Sequence, residues 1–401
     1  MKQGRSRSRH KVIIAAVVLL LLGSLLVGVS SCGNPSFSSE TEARLTGVVK
    51  KMMLDYKVPG AIVGVWQKGK GEYVRAFGKA EIGNNPVPMK ADMVWRIASM
   101  TKTFTASAIL QLVDEKKLKL DDKLSKFAWS EGLANRDQIT VRMLLNHTSG
   151  YPDLENDNPE FQKVRFGDPY KVWTHKEILA WGRTMQPLFP PGAGYHYTNF
   201  GYYLLGMMIE SVTGKSAEQE IQRLCSDRLG LANTRLAVMP AYLKSRPHSN
   251  GYALRSELPP FVKAQGTSQM IDTTEWNISA AWTAGGVVSS LTDMKTWIES
   301  VASGSLLSPA MRKAQLENAI ALDKTSSYGL GVSISKLPSG EWRGHNGAVP
   351  GYSSWASSLA DRSVTVVVFM NVMPGANEEN MVATKTALEL IKALQLKTRS
   401  Q

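Results

Sequence analysis

The sequence predicts a mixed α/β (α+β) fold, with one antiparallel sheet built from both chain ends, flanked by helices, and a mainly helical subdomain inserted between them. Three observations predict it. β-Rich runs stand early, in GAIVGVWQKG and GEYVRAFGKAE (60–69 and 71–81). They return after Tyr328 in YGLGVSISK, EWRGHNG, GYSSWASSLA and SVTVVVFMNV. Residues 116–284 carry helical patches among Pro- and Gly-rich loops and few strand signals. Strands from the two ends with helices between them suggest one sheet interrupted by an insertion.

Element by element, residues 1–31 read as a secretory signal. MKQGRSRSRHK is a basic start, 12–29 an uninterrupted apolar run, and VSSC ends at Cys32. A cysteine after small residues resembles a bacterial lipobox, with Cys32 lipidated; the alternative is a retained anchor helix. Either way the basic residues stay inside and the rest lies outside the cytoplasm, attached to the outer face of the cytoplasmic membrane or otherwise to the envelope. Residues 32–44 read as a polar tether and 45–397 as the folded domain. Its sheet part spans about 45–115 and 285–397, its helical subdomain about 116–284. A helix is expected over 45–57, a hairpin around Lys70 and Gly71, and a helix from Ser99 to about Glu115. Further helices are expected over 291–303 and 308–319, and an amphipathic one over 377–396.

Composition is globular, at 43% hydrophobic and 20% charged over 401 residues. The formal charge of +13 falls to +8 without the five basic residues of the leader, Lys2, Arg5, Arg7, Arg9 and Lys11. Beyond the leader no Lys/Arg cluster is interleaved with aromatics, which argues against nucleic-acid binding. Of the two cysteines, Cys225 reads as a small core residue.

The chemistry is concentrated in IASMTKTFTA, residues 97–106. Ser99 and Lys102 are three apart and share a helical face. The helix after them is apolar nearly all round, hence buried. A lysine in the first turn opposes the macrodipole, and a capping box would want Glu or Gln there instead. A serine needs a base to become a nucleophile, and an amine in an apolar setting can act as one. Helix N-terminal amides are donors for a developing oxyanion. Ser-x-x-Lys also occurs at Ser8/Lys11 and Ser333/Lys336, without that setting.

Two further segments supply partners. Tyr197 and Asn199 read as standing on a loop just before the helical patch GYYLLGMMIESVTG; a tyrosine hydroxyl could relay protons and an asparagine could hold a carbonyl or the lysine. On WRGHNGAVPGYSS, alternation puts His345 and Gly347 on one strand face, where glycine would let a substrate come close. Alone, each of these segments reads as readily as packing.

Together the Ser-x-x-Lys helix, the Tyr-x-Asn loop and the His-x-Gly strand resemble the serine β-lactamase and penicillin-binding (DD-peptidase) fold. Within it they resemble the branch of class C β-lactamases, D-alanyl-D-alanine carboxypeptidases and related esterases. The resemblance extends through MLLNHTSGYPD (143–153), FPPGAGYHYTNFGYYLLG (189–206), AGGVVSSLTDM (284–294) and YGLGV (328–332), and covers about 45–395. It implies Ser99 as the acylated nucleophile, with Lys102 and Tyr197 sharing proton transfer. Which of the two is the acylation base stays open. It implies substrate contacts at Asn199, His345, Asn346, Gly347 and Ala348, and an oxyanion hole from the N–H groups of Ser99 and Ala348. No cofactor or metal is implied. Substrates would be peptidoglycan-derived peptides, β-lactams, or small esters and amides.

One departure stands out. β-Lactamases of this branch usually carry Lys-Thr-Gly where this chain has His345-Asn346-Gly347. With a histidine there, carboxylate substrates are expected to bind better as pH falls below about 6.5. The rival reading is a non-catalytic envelope-binding lipoprotein, which would let the constellation decay. A Gly-x-Ser-x-Gly elbow and His-Glu-x-x-His are absent from the sequence.

Overall fold

The computed structural model describes residues 36–258, 262, 268–373 and 381–398. Cys32, the leader and the apolar run lie outside the described residues. Among the described residues no helix is long and apolar enough to cross a membrane.

The first helix, α1 (Ser39–Asp55), begins within the segment expected to be a tether. The Ser38 side chain accepts from Thr41 N, and Glu40 and Glu42 occupy the first turn, where the macrodipole favours acids. With Phe37 buried ahead of it, the tether reading does not hold for residues 37–44.

Among the described residues, nine strands form the main sheet. They are β1 (Gly60–Gln67), β2 (Gly71–Glu81), β3 (Val87–Pro88), β4 (Ile320–Ala321) and β5 (Ser326–Tyr328). Then follow β6 (Ser333–Leu337), β7 (Gly340–Val349), β8 (Tyr352–Leu359) and β9 (Val364–Met370). Their spatial order is β3-β2-β1-β9-β8-β7-β6-β5-β4, antiparallel throughout. The strand from near the N-terminus therefore pairs with the one from near the C-terminus, Val63 opposite Val368.

β9 is buried at every position because both faces of the sheet are covered. Val366, Val368 and Met370 join Ala61, Val63 and Val65 in a core under α1 and the C-terminal helix α5 (Val382–Ala393). Val367 and Phe369 point the other way, into a larger core with α2 (Thr101–Asp114), α3 (Asn199–Thr213) and α4 (Leu291–Ser303). This is the two-residue alternation of a strand. Each such buried side chain is worth about 1.5–3 kcal/mol.

Among the described residues the middle of the chain is helix and loop, as expected, with three short strands besides, Arg235–Leu236, Tyr252–Leu254 and Met270–Asp272. Arg235–Leu236 pairs with Val287–Ser290, which pairs in turn with Val94–Arg96. That small sheet ties the helical region to the segment just before Ser99.

Candidate active site

Ser99 does not open a regular helix, contrary to the expectation. It sits in a single 3-10 turn, Ala98–Met100, and α2 begins at Thr101. Ala98 just before it has φ +51°, an unusual conformation for a residue with a Cβ. His147 (φ +60°) and Trp282 (φ +32°) share this feature. Such conformations cost about 1–3 kcal/mol each and persist only where the surroundings enforce them.

α2 is buried at almost every position, so its polar side chains need partners. Thr103 Oγ1 donates to Met100 O at 2.7 Å and accepts from Trp297 Nε1 at 2.7 Å. Thr105 Oγ1 donates to Thr283 O at 2.6 Å. Lys102 is fully buried. Its Nζ donates to Asn199 Oδ1 at 2.6 Å, to Ala284 O at 3.0 Å and to Ser99 Oγ at 3.2 Å. The same nitrogen lies 4.7 Å from the centre of the Tyr197 ring and 5.4 Å from that of Tyr202.

Asn199 is the first residue of α3, where its side chain is free to reach back across the site. Its Nδ2 donates to Asp153 Oδ2 at 2.9 Å. Asp153 is fully buried, and burial together with the charge of Glu155 pushes its carboxyl up to about 7. His147 is also fully buried. Its backbone carbonyl accepts from His196 N at 3.0 Å and its Nδ1 accepts from Thr198 N at 3.2 Å. Its ring lies 4.4 Å from that of Tyr197. It therefore holds the 196–198 loop from behind. Desolvation, then the charge of Lys102, holds its pKa well below the ordinary histidine value.

β7 forms the facing wall. Residues 345 and 347 are buried while 346 and 348 are half-buried, so Asn346 and Ala348 are on the more open face. His345 Nδ1 lies 2.6 Å from Asn346 O, and a carbonyl can only accept, so Nδ1 carries the proton. Nε2 then accepts from Tyr328 Oη at 3.0 Å. Burial, then Lys102, brings the His345 pKa down to about 3. The expected strengthening of carboxylate binding below pH 6.5 is thereby corrected: this imidazole is neutral across pH 5–8, with both nitrogens engaged. Gly347 also differs from expectation. A Cβ there would stand 2.4 Å from Ile97 O and 2.9 Å from Ser99 N, so glycine admits the nucleophile's own turn rather than a substrate.

The structure thus gathers Ser99, Lys102, Tyr197, Asn199 and His345, with Gly347 and Ala348 on the strand beside Ser99. Sequence reasoning missed Asp153, His147, Tyr328 and the carbonyl of Ala284. The first three lie in stretches quoted for the resemblance; a backbone carbonyl leaves no residue-type signal.

The family model for Beta-lactamase matches residues 45–390. The chain belongs to the beta-lactamase family of serine hydrolases. Penicillin-binding protein 4* of Bacillus subtilis (strain 168) is 27% identical over 312 residues, 75% of this chain and 65% of the relative. Curated relatives are matched over 49% to 65% of their own length. Among solved structures, D-amino acid amidase from Ochrobactrum anthropi SV3 superposes with a TM-score of 0.77 at 25% identity, over 89% of this chain and 99% of that one. A D-stereospecific amidohydrolase from Streptomyces sp. gives 0.71 at 28%, over 88% and 97%. The resemblance read from the motifs and the fold it implied therefore hold for this beta-lactamase-family chain.

Proposed function

We propose that this chain hydrolyses small amides or esters, amino-acid amides above all, through an acyl-enzyme on Ser99. The observation that carries this reading is the setting of Lys102 Nζ. Two pure acceptors, Asn199 Oδ1 and Ala284 O, take two of its hydrogens, and its third valence faces Ser99 Oγ. Once the amine is neutral, that third position is a lone pair aimed at the serine hydroxyl.

Ser99 Oγ then attacks the substrate carbonyl while its proton passes to Lys102. The carbonyl oxygen gains negative charge, which the N–H groups of Ser99 and Ala348 would stabilise. Asn199 and Asn346 would orient the substrate. The leaving amine or alcohol takes a proton from Lys102 by way of Tyr197, freeing it and leaving Ser99 esterified. Water attacks the ester with the same groups acting as base, and Ser99 is restored. Nothing but an acyl group and protons is transferred.

An amide or ester is favoured over a carboxylate-terminated peptide because His345 stands where a lysine would bring a cation. The names of the structural neighbours, a D-amino acid amidase and a D-stereospecific amidohydrolase, support the same class. Export, with lipidation at Cys32, completes the proposal and would place the enzyme in the envelope, among peptidoglycan-derived peptides.

The test uses full-length protein and its Ser99→Ala variant with D-phenylalanine p-nitroanilide, p-nitrophenyl acetate and benzylpenicillin, followed by absorbance and intact mass. Turnover of the anilide or ester by the wild type alone supports the reading. A persistent penicilloyl adduct without such turnover would favour the carboxypeptidase-like alternative. If Ser99→Ala matches the wild type with all three, the chain is not a Ser99 hydrolase.

A further inference from the structure

Behind Lys102 the hydrogen bonds continue inward. Asn199 accepts from Lys102 at Oδ1 and donates through Nδ2 to Asp153. Asp153 Oδ2 also accepts from Asn156 Nδ2 at 2.8 Å, and Oδ1 accepts from Glu155 N at 3.1 Å. All three partners are N–H donors, so the carboxyl is surrounded as an acceptor. An Asn side chain has an accepting end and a donating end of nearly the same shape. Only one orientation of Asn199 serves Lys102, and a carboxylate at 153 selects it, because it can accept but cannot donate.

We propose that Asp153 is a positioning residue for acylation: its carboxylate fixes the Asn199 amide with Oδ1 toward Lys102 Nζ. The inference rests on the Ser99 hydrolase reading. A merely structural role is available to Asp153, since it caps the short helix Leu154–Asp157. The two roles separate chemically. Asn is as good an N-cap as Asp. In Asp153→Asn, Oδ1 can still accept from Glu155 N, but Nδ2 then meets the Nδ2 groups of both Asn156 and Asn199, donors facing donors; exposed Asn156 can turn to solvent. Asn199 must flip or withdraw, and Lys102 loses its 2.6 Å acceptor.

The charged groups around Asp153 come from several segments. Glu155 is paired with Arg165 at 3.0 Å, and Asp157 Oδ2 accepts from Asp153 N at 2.7 Å and lies 2.6 Å from His196 Nε2. Lys102 faces it through Asn199. Acid enters the network as protonation of a carboxyl already surrounded by donors. It would release Asn199, so activity should fall on the acid side of neutrality and do so through Asp153.

The experiment compares wild type, Asp153→Asn, Asn199→Ala and the double variant, all full-length, using p-nitrophenyl acetate from pH 5 to 9. A second readout is the pH titration of the Lys102 13Cε NMR signal in lysine-labelled protein, assigned with Lys102→Arg. The expected result is a kcat loss of about 10- to 100-fold in Asp153→Asn, the effect of one charge-assisted hydrogen bond, with KM within about twofold. The acid limb should disappear, and the double variant should lose no more than the worse single one. The Lys102 titration should move to lower pH in Asp153→Asn, and most of that movement should vanish in the Asn199→Ala background. Losses that multiply, or an Asp153→Asn variant with wild-type kcat and an unmoved Lys102 signal, would overturn the proposal. If the wild type shows no Ser99-dependent turnover, the hydrolase reading fails and the Lys102 titration decides on Asp153 by itself.

Discussion

Replacing Gly347 by alanine would set one methyl group against the backbone that carries the nucleophile. The new Cβ would lie 2.4 Å from Ile97 O, 2.7 Å from Ser354 Oγ and 2.9 Å from Ser99 N, where ordinary contact begins at 3.4 Å. Ser354 can rotate away, at the loss of its 2.8 Å bond to Ile97 O. The two backbone atoms cannot rotate, so the 97–99 turn or β7 must shift by about 1 Å. Overpacking of this kind costs about 1–3 kcal/mol. A displacement of that size at reacting groups costs about 10²-fold in rate. Gly347→Ala should therefore fold, melt a few degrees lower, and lose about two orders of magnitude in Ser99-dependent ester turnover. Gly47→Ala is the control: it lies in α1 with nothing within 4 Å of its Cβ position. It should raise stability by about 0.5–1 kcal/mol and leave turnover alone. Circular-dichroism melts and p-nitrophenyl acetate kinetics read both. A Gly347→Ala protein with wild-type kcat would refute the account of this glycine as the site of close approach.

Acid should destabilise the fold before any ordinary carboxylate titrates. His345, brought down to about 3, and His147, held well below its ordinary value, are neutral when folded but protonate when unfolded below about 6.5. Their stabilisation is present above pH 6.5 and is lost as pH falls below it. Asp153, raised to about 7, opposes this with one proton bound in the folded state. Two protons against one give a loss of about 1.4 kcal/mol per pH unit between 6 and 5, read from urea midpoints; midpoints that rise toward pH 5 would contradict it. Tyr328→Phe removes the donor to His345 Nε2 and should cost about 1–3 kcal/mol in the same assay, whereas an unchanged midpoint would show that bond to be idle. Cys225 is buried with Sγ 3.6 Å from Phe104 O, and burial pushes its thiol pKa up. It should resist iodoacetamide at pH 8 in the folded protein and react in urea; rapid native labelling would place it elsewhere.

What could be read in advance follows the kind of signal each feature leaves. That one sheet draws its strands from both chain ends was legible because apolar runs at opposite ends of the chain needed a common sheet; which of them pair was not. Ser99 and Lys102 were legible because a lysine in an apolar first turn breaks two local rules at once. The early start of α1 was readable too, in Ser38 followed by Glu40 and Glu42, but the polar composition of the segment suggested a tether. The 3-10 turn at Ser99 left no trace, since its positive φ falls on Ala98, an alanine rather than a glycine. His345 was judged by residue type, as a group that titrates near neutrality. Its neighbours decide otherwise: Asn346 O fixes the proton on Nδ1, Tyr328 fills Nε2, and burial next to Lys102 excludes a second proton. The same holds for Asp153 and Ala284, about 50 and 180 residues from Lys102 in sequence. Residue type announces which groups can do chemistry. Which end of an amide faces a lysine, and which nitrogen of an imidazole keeps its proton, is set by donors and acceptors that meet only in the folded chain.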